Sequence, residues 1–265
     1  MIEERTPALV LRTRLHSESD KIVTFMTRDW GKVTGIAKGA KRSQRRFVNV
    51  LEPFTHIQLR FRPGRADDLA FIFGCDLIRS FRAPARNVQR YAIANYLAEL
   101  MDAMIAGREP GGEAYELLLQ GLTTLEEQAP ISSFFLSAFE LFLLTYTGYG
   151  PNVASCQRCG LSVDDPDSIF VFSPNAGGLL CTRCRADSGA ATLLSPETLA
   201  LLAAPQEEDL IRFLATVVSP RAGRELRTVV SSLLARHIPR PLKSKAFLEQ
   251  TGVLDSSLVD GPYRE

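Results

Sequence analysis

The chain has 265 residues, of which 45% are hydrophobic and 23% are charged, and its formal net charge is +1. This composition is typical of a globular protein with one large domain or two to three small ones. The longest strongly apolar stretch, at about 131–146, is too short to span a bilayer and contains Glu140, so we expect a buried helix there and not a membrane-spanning one. The Met1–Arg5 segment has no apolar core, so we expect no secretory signal, no membrane partner and a cytoplasmic location.

The positive charge of the chain is concentrated near its N-terminus. Residues 1–82 contain 16 Lys and Arg against 9 Asp and Glu, whereas the remaining residues contain 15 against 21. This asymmetry predicts an N-terminal part that binds a polyanion and a C-terminal part with a different task.

The N-terminal part has the pattern of a β-protein. Strands are predicted at 8–11, 21–27, 33–37, 56–62 and 69–78. The fourth alternates, with Ile57, Leu59 and Phe61 on one face, and the fifth is apolar on both faces. Five strands within about 75 residues predict a small closed barrel, and the OB-fold is the commonest such barrel that binds polyanions.

Four cysteines form two C-x-x-C pairs, Cys156 with Cys159 and Cys181 with Cys184, separated by 21 residues. This spacing predicts one structural Zn²⁺ per chain, because four thiolates complete a tetrahedral shell and leave no position for water or substrate. The alternatives are two disulfides, which need an oxidising compartment, or four unrelated thiols. Between the pairs, a predicted strand at 169–173 and a tight turn at 175–178 complete the pattern of a zinc ribbon.

The remaining C-terminal sequence has a helical period. Helices are predicted at 87–105, 113–128, 132–146, 199–203, 207–217 and 221–238, with Ser195 and Pro196 at a helix start. The predicted fold is therefore an α+β multidomain protein. Its predicted parts are an OB-fold barrel at 1–80, an all-helical domain at 81–152 and 187–250, an inserted Cys₄ zinc ribbon at 153–186, and a tail at 251–265.

The segment 38–46 contains five cations and no carboxylate, and it lies between two predicted strands. Cations in a flexible Gly/Ser loop can follow a phosphate backbone, so we predict nucleic-acid binding; the alternative is a solvated surface loop. Phe47, Phe54 and Trp30 are candidates for stacking on bases, whereas Phe61 shares the core face of its strand. The predicted DNA-binding cations are Arg12, Arg14, Lys32, Lys38, Lys41, Arg42, Arg45, Arg46, Arg60 and Arg62.

A second basic cluster, Arg240, Lys243 and Lys245, follows the last predicted helix. It is a candidate contact for phosphates or for an acidic tail of a partner, and cations that complement the helix dipole are an equally good interpretation. No catalytic residue is predicted, because His16, His56 and His237 lie outside metalloenzyme motifs and the glycines do not form a phosphate loop. We therefore expect a protein that is not an enzyme.

The chain resembles the RecO family of bacterial recombination mediators over most of residues 5–250. The shared motifs are ALVLR at 8–12, SESDKIV at 17–23, TRDWGK at 27–32, AKGAKRS at 37–43, LEPF at 51–54, the two C-x-x-C pairs, and LKS at 242–244. The resemblance implies an N-terminal OB-fold and a helical domain that contains a zinc ribbon.

The resemblance also implies a function in DNA repair and recombination. Such proteins bind single- and double-stranded DNA and anneal complementary strands without ATP in the nucleoid. They recognise the acidic tail of single-stranded-DNA-binding protein, and with RecR they help to load RecA onto the coated DNA. Two other classes stay open: a zinc-ribbon nucleic-acid-binding regulator without annealing activity, and a nuclease, which the lack of a carboxylate or histidine constellation disfavours.

Overall fold

The computed structural model describes residues 3–65, 68–107, 112–127, 131, 133–163, 165, 169–185 and 191–250. The tail predicted at 251–265 lies outside these residues. The described residues divide into two compact units, one formed by residues up to 127 together with 242–250 and the other by residues 131–241. The domain boundaries predicted at 80, 152 and 186 stay predictions.

Five strands of the first unit close into a barrel in the order β1–β2–β3–β5–β4. The strands are β1 Glu4–His16, β2 Asp20–Thr27, β3 Gly31–Ala37, β4 Thr55–Arg62 and β5 Ala70–Ser80. Only β3 and β5 pair in parallel, and the other neighbours are antiparallel. The predicted OB-like barrel is confirmed, and so is the alternation on β4, because Ile57, Leu59 and Phe61 are buried in its core.

The parallel contact between β3 and β5 depends on the absence of a side chain at Gly35. A Cβ atom at this position would lie 2.4 Å from Cδ1 of Ile72 and 2.8 Å from the carbonyl oxygen of Ala70. Both neighbours belong to the barrel core, where Ala70 and Ile72 have no solvent exposure. Glycine therefore lets the two backbones approach closely enough to close the barrel.

The structure buries Phe47 and Phe54, two of the aromatic rings that the sequence offers as base-stacking candidates, and partly buries Trp30. Phe47 and Phe54 are only 5% and 6% exposed, and Phe54 packs edge-on against Tyr91. Trp30 packs edge-on against Phe61, with ring centroids 5.7 Å apart. A ring whose faces contact the protein interior cannot stack on a base, so this prediction is wrong for Phe47 and Phe54.

Four helices complete the first unit: α1 Ala83–Arg86, α2 Val88–Met104, α3 Gly112–Glu127 and α8 Lys243–Gln250. The side chain of Asn87 accepts the N–H of Arg90 and begins α2 as an N-cap. Helices α2 and α3 pack against each other and against β1, and α8 packs against α2. The sequence pattern does not predict α8, because Leu248 is its only buried residue and gives no apolar periodicity.

The second unit contains helices and a small sheet of order β7–β6–β8. Its elements are α4 Ser133–Tyr146, β6 Phe170–Ser173, β7 Gly178–Cys181, β8 Thr192–Leu193, α5 Pro196–Ala203, α6 Leu210–Leu214 and α7 Pro220–His237. Phe142 of α4 and Phe213 of α6 contact each other with ring centroids 5.4 Å apart. The helix predicted at 207–217 is shorter, because the side chain of Asp209 accepts the N–H of Arg212 and begins α6 there. Within the described part of the chain, no helix has the length and apolarity needed to cross a membrane.

Glu225 of α7 connects this helix to the beginning of α5. One carboxylate oxygen accepts the N–H of Ser195 at 2.8 Å and the hydroxyl of Thr198 at 2.6 Å, and the other contacts Arg221 at 2.7 Å. Burial alone raises the pKa of Glu225, but these hydrogen bonds outweigh it and lower the pKa from 4.5 to about 2. The carboxylate form of Glu225 therefore stabilises the folded protein.

We expect Glu225→Gln to destabilise the protein at neutral pH by an amount that shrinks in acid. Because the folded-state pKa is the lower one, the stabilisation is present above pH 4.5 and is lost as the pH falls towards about 2. The upper bound is about 3 kcal/mol of unfolding free energy. Denaturant titrations of both proteins at several pH values measure the difference. The control is Glu207→Gln, which alters an exposed side chain, and a pH-independent difference for Glu225→Gln would contradict the prediction.

Candidate metal centre and nucleic-acid interface

The four cysteines predicted to bind zinc lie together beside β7. Their sulfur atoms all lie within 4.8 Å of one another, and the sulfurs of Cys159 and Cys181 are 3.7 Å apart. Tetrahedral Zn²⁺ with Zn–S bonds of about 2.3 Å separates its sulfur ligands by about 3.8 Å. All five cysteines of the chain are free thiols, so the structure contains no disulfide. The cluster therefore has the size and the ligand chemistry to hold a metal ion such as Zn²⁺.

Backbone hydrogen bonds hold each C-x-x-C pair in a tight turn. In the first turn the N–H of Gly160 binds the carbonyl of Cys156 at 2.9 Å, and Gly160 has a φ of +73°, which favours glycine. In the second turn the N–H of Cys184 binds the carbonyl of Cys181 at 2.9 Å. The N–H of Cys181 also donates to the sulfur of Cys156 at 3.3 Å and connects the two turns.

The thiols of the cluster have opposite pKa shifts. Burial alone raises the pKa of Cys156, but backbone N–H groups of Cys181, Cys159 and Arg158 outweigh it and lower the pKa to about 6. At Cys184, burial and the neighbouring thiols raise the pKa to about 12. Adjacent thiolates repel one another, so the cluster needs a bound cation to hold four negative sulfurs at neutral pH.

The basic segment 38–46 is an ordered loop on the barrel. The N–H of Gly39 donates to the carboxylate of Asp20 at 2.8 Å, a contact that lowers the pKa of Asp20. The N–H of Lys41 binds the carbonyl of Ser19 at 3.0 Å, and the buried side chain of Ala40 packs in the barrel core. The backbone of the loop is therefore held on the barrel, whereas the sequence suggests a flexible segment. The exposed cations are Lys38, Lys41, Arg42, Arg45 and Arg46.

The five loop cations differ in how much their side chains interact with the protein. Arg46 donates to the carbonyl of Lys38 at 3.1 Å and lies 5.0 Å from the ring centroid of Phe47. Lys41 donates to the carbonyl of Ser17. Lys38 is attracted to the carboxylate of Asp20. Among the described residues, the side chains of Arg42 and Arg45 have neither a hydrogen bond nor an ion pair. These two arginines are therefore the loop cations most available to a phosphate.

Two other predicted DNA-binding cations pair with the same carboxylate. Arg12 lies 2.8 Å and Lys32 lies 3.2 Å from the carboxylate of Asp102 on α2. Lys32 also donates to the backbone carbonyl of Asp102 at 2.6 Å. These contacts fasten α2 to the barrel and neutralise part of the positive charge there.

Three predicted cations lie on the outer surface of the barrel and form no ion pair with Asp102 among the described residues. Arg60 of β4 contacts Asp76 at 3.7 Å, and Arg62 lies 5.6 Å from the ring centroid of Phe71. Arg14 is exposed on β1 opposite Ile22. The ten predicted cations therefore form separate groups: five in the loop, two at Asp102, two on β4 and Arg14 on β1.

The C-terminal basic cluster is divided between the two units. Arg240 belongs to the second unit, whereas Lys243 and Lys245 are exposed in the first turn of α8. The carboxylate of Glu99 accepts the N–H of Lys243 at 3.2 Å and the N–H of Ser244 at 2.7 Å. This carboxylate already occupies the position that an anion would take at the beginning of α8.

Sequence reasoning misses two partly exposed aromatic residues, Phe71 and Phe73 of β5. Their ring centroids are 5.1 Å apart on the outer surface of the barrel. The sequence does contain a signal for these two residues, because the strand predicted at 69–78 is apolar on both faces. One face of a barrel strand points away from the core, so apolar side chains on that face lie at the surface.

Two family models match the chain in succession. One is described as Recombination protein O N terminal and matches residues 1–81, and the other as Recombination protein O C terminal and matches residues 85–246. The DNA repair protein RecO of Syntrophus aciditrophicus is 35% identical over 248 residues, which cover 93% of this chain and 95% of that protein.

Other similar proteins bear the same name. The DNA repair protein RecO of Anaeromyxobacter dehalogenans is 34% identical over 254 residues, which cover 96% of this chain and 99% of that protein. The DNA repair protein RecO of a Nocardioides species is 36% identical over 251 residues, with coverages of 93% and 99%. With the barrel, the helical region and the cysteine cluster in place, these matches over nearly the whole length show that the chain belongs to the RecO family.

Proposed function

We propose that this protein is a mediator of DNA repair and recombination that binds single- and double-stranded DNA and anneals complementary strands without ATP. With RecR, it helps to load RecA onto DNA that is coated by single-stranded-DNA-binding protein. The observation that carries the proposal is the ordered loop 38–46, which holds five exposed cations on an OB-like barrel. Membership of the RecO family supports the same function.

The loop cations are the centre of the proposed DNA interface. Lysine and arginine side chains bind phosphates without regard to base sequence and release counterions from the DNA. Arg14 and Arg62 extend this surface, whereas Arg12, Lys32 and Arg60 contribute less because carboxylates lie beside them. A cationic surface that lowers the repulsion between two phosphate backbones favours their pairing.

Annealing of complementary strands is energetically downhill, so it needs neither nucleotide hydrolysis nor a catalytic residue. The protein then acts by binding, as expected of a protein that is not an enzyme. Its cations set the rate at which strands meet, because electrostatic attraction accelerates encounters.

For the cysteine cluster we propose one structural Zn²⁺ per chain, held by Cys156, Cys159, Cys181 and Cys184. The four thiolates fill the coordination shell, so the bound ion supplies structural stability and no open position for a reactant. The cysteine-containing turns and the sheet β7–β6–β8 then form one folded module.

The proposed protein partners are RecR and single-stranded-DNA-binding protein, and RecA indirectly, in the cytoplasm at the nucleoid. We assign the acidic tail of single-stranded-DNA-binding protein to the exposed cations Lys243 and Lys245 of α8. Arg240, which belongs to the second unit, stays a prediction of the sequence. Lys243 also lines a cavity of about 530 Å³ with the apolar side chains of Leu11 and Phe247. Because the carboxylates of Glu99 and Asp102 also line this cavity, we assign it only the apolar part of the tail, and the acidic part to the exposed side chains of Lys243 and Lys245.

The test is the annealing of complementary strands coated with single-stranded-DNA-binding protein, without ATP. We expect the protein to accelerate annealing, and we expect the acceleration to disappear when the acidic tail of the coating protein is removed. Fluorescence quenching between labelled strands measures the rate. Uncoated strands serve as the control for simple charge neutralisation.

Each alternative result has a definite meaning. Acceleration on bare strands alone would contradict the mediator role and leave a general DNA-binding protein. Binding without any acceleration would favour the zinc-ribbon regulator. Cleavage of the DNA in the presence of a metal ion would contradict the assignment as a protein that is not an enzyme.

A further inference from the structure

The outer face of β5 carries the aromatic pair Phe71 and Phe73. Ala70 and Ile72 alternate with them along the strand and have no solvent exposure, so they point into the barrel core. The period of two places Phe71 and Phe73 on the opposite, outer face. Both rings are partly exposed there, at an interplanar angle of 65°. The pair therefore offers aromatic surface to a ligand outside the barrel.

A β-bulge lies beside the pair. Arg60 of β4 pairs with Gly74, but the next residue, Phe61, pairs with Ile72, so Phe73 is an extra residue on β5. Bulges bend a strand and re-aim a side chain, and they are common next to functional sites. The bulge supplies a local reason for the outward position of Phe73.

Two arginines of β4 border the aromatic pair. Arg62 pairs directly with Phe71, and its guanidinium lies 5.6 Å from the ring centroid. The guanidinium of Arg60 lies next to Gly74. A Cβ atom at Gly74 would come within 2.6 Å of a guanidinium nitrogen of Arg60. Glycine at this position thus leaves space for a cation next to Phe73. The surface combines aromatic rings with cations, the two components of single-strand binding sites. The carboxylates of Glu3 and Asp76 lie 3.8 Å and 3.7 Å from Arg60 and neutralise part of its charge.

The basic loop 38–46 adjoins this surface. Ile36 of β3 pairs with Phe71, and the chain runs directly from the end of β3 into Lys38. At the other end of the loop, the carbonyl of Arg46 accepts the N–H of Cys75, two residues beyond Phe73. The aromatic pair and the loop therefore lie side by side along about 13 Å of β5.

We propose that Phe71 and Phe73, bordered by Arg60 and Arg62, form a stacking surface for unpaired bases of single-stranded DNA. The phosphates of the same strand lie on the basic loop. The inference rests on the proposed function and adds a basis for distinguishing single strands from duplex. Every base has an aromatic face, so the surface accepts any sequence, whereas bases in a duplex are already stacked on their neighbours.

The test compares three ligands of equal length: oligothymidine, an abasic strand with the same phosphates, and a duplex. We expect the wild type to bind oligothymidine more tightly than the abasic strand. Phe71→Ala with Phe73→Ala should weaken oligothymidine binding about 10- to 100-fold and change abasic and duplex binding less than about twofold. Phe71→Tyr with Phe73→Tyr keeps the aromatic faces and should restore binding. Fluorescence anisotropy measures the affinities.

A matched control lies on the same strand. Leu77 and Ile78 are 56% and 50% exposed, so Leu77→Ala with Ile78→Ala removes exposed apolar surface outside the aromatic pair. This variant should bind all three ligands as the wild type does. Photocrosslinking of a strand that contains 5-iododeoxyuridine should attach the base to Phe71 or Phe73 in the wild type.

The outcomes separate this inference from the proposed function. If the alanine variant keeps the preference of the wild type for oligothymidine over the abasic strand, the proposal of a stacking surface is disproved. The proposed binding of DNA is then unaffected. An equal loss of duplex binding, or crosslinks only at other residues, would also overturn it. If the wild type binds neither single strands nor duplex, the proposed function falls with the inference.

Discussion

Replacing Cys181 with serine is expected to abolish metal binding and to unfold the sheet β7–β6–β8. Cys181 ends β7, is 1% exposed, and donates its N–H to the sulfur of Cys156. Serine is a poor ligand for Zn²⁺, and structural zinc contributes about 10–16 kcal/mol to small domains at neutral pH. Elemental analysis should show a fall from about one ion per chain to almost none. Limited proteolysis should then cut within residues 169–185.

Cys75→Ser is the matched control for this experiment. Cys75 lies in the barrel core and is not one of the four clustered cysteines, so it cannot contribute a sulfur to the same ion. This variant should keep the full metal content even if it loses some stability. A Cys181→Ser protein that keeps both its ion and its resistance to proteolysis would refute the assignment of Cys181 as a ligand.

Replacing Arg42 and Arg45 together with alanine is expected to lower the affinity for single-stranded DNA about tenfold, whatever the base sequence. Both side chains are exposed, and neither forms an ion pair within the described residues. Each phosphate contact contributes about 0.7 to the slope of log affinity against log salt for a single strand, so the slope should fall by about 1.4. Anisotropy titrations of a labelled strand at increasing salt measure both quantities.

Arg82→Ala with Arg86→Ala is the charge-matched control for the loop variant. These exposed arginines flank or end the short helix α1, outside the basic loop. Because the control removes the same net charge, it should leave most of the affinity and the salt slope unchanged. Equal losses in the two variants would mean that overall charge, and not the loop, governs DNA binding.

Local sequence patterns predict much of the fold. The alternation of Ile57, Leu59 and Phe61 identifies β4, because a strand turns every second side chain to the same face. The two C-x-x-C pairs identify the cysteine cluster, because each pair needs only one tight turn to aim two sulfurs at the same point. These features depend on contacts between residues that are close in sequence or on spacings that the chemistry of zinc restricts.

Contacts between distant residues explain the missed features. Glu99 accepts the N–H of Ser244 at the beginning of α8, and Asp102 pairs with Arg12 and Lys32. A local sequence pattern cannot match either carboxylate to its partners, because the partners are distant in sequence. α8 itself escapes the sequence pattern for the same reason, because it is held by α2 and has only one buried residue. Ion pairs and caps of this kind arise only when the barrel and the helices are assembled.

The sequence by itself determined the barrel class, the cation content of segment 38–46 and the clustering of the four cysteines, because periodicity, charge and spacing are local properties. Only the tertiary structure decided which aromatic rings face outward. Phe47 enters the barrel core although its neighbours are basic, whereas Phe71 and Phe73 stay on the surface although their strand is apolar. The register of β4 on β5, with its bulge at Phe73, sets the directions of Phe71 and Phe73, and a register is fixed by pairing between strands.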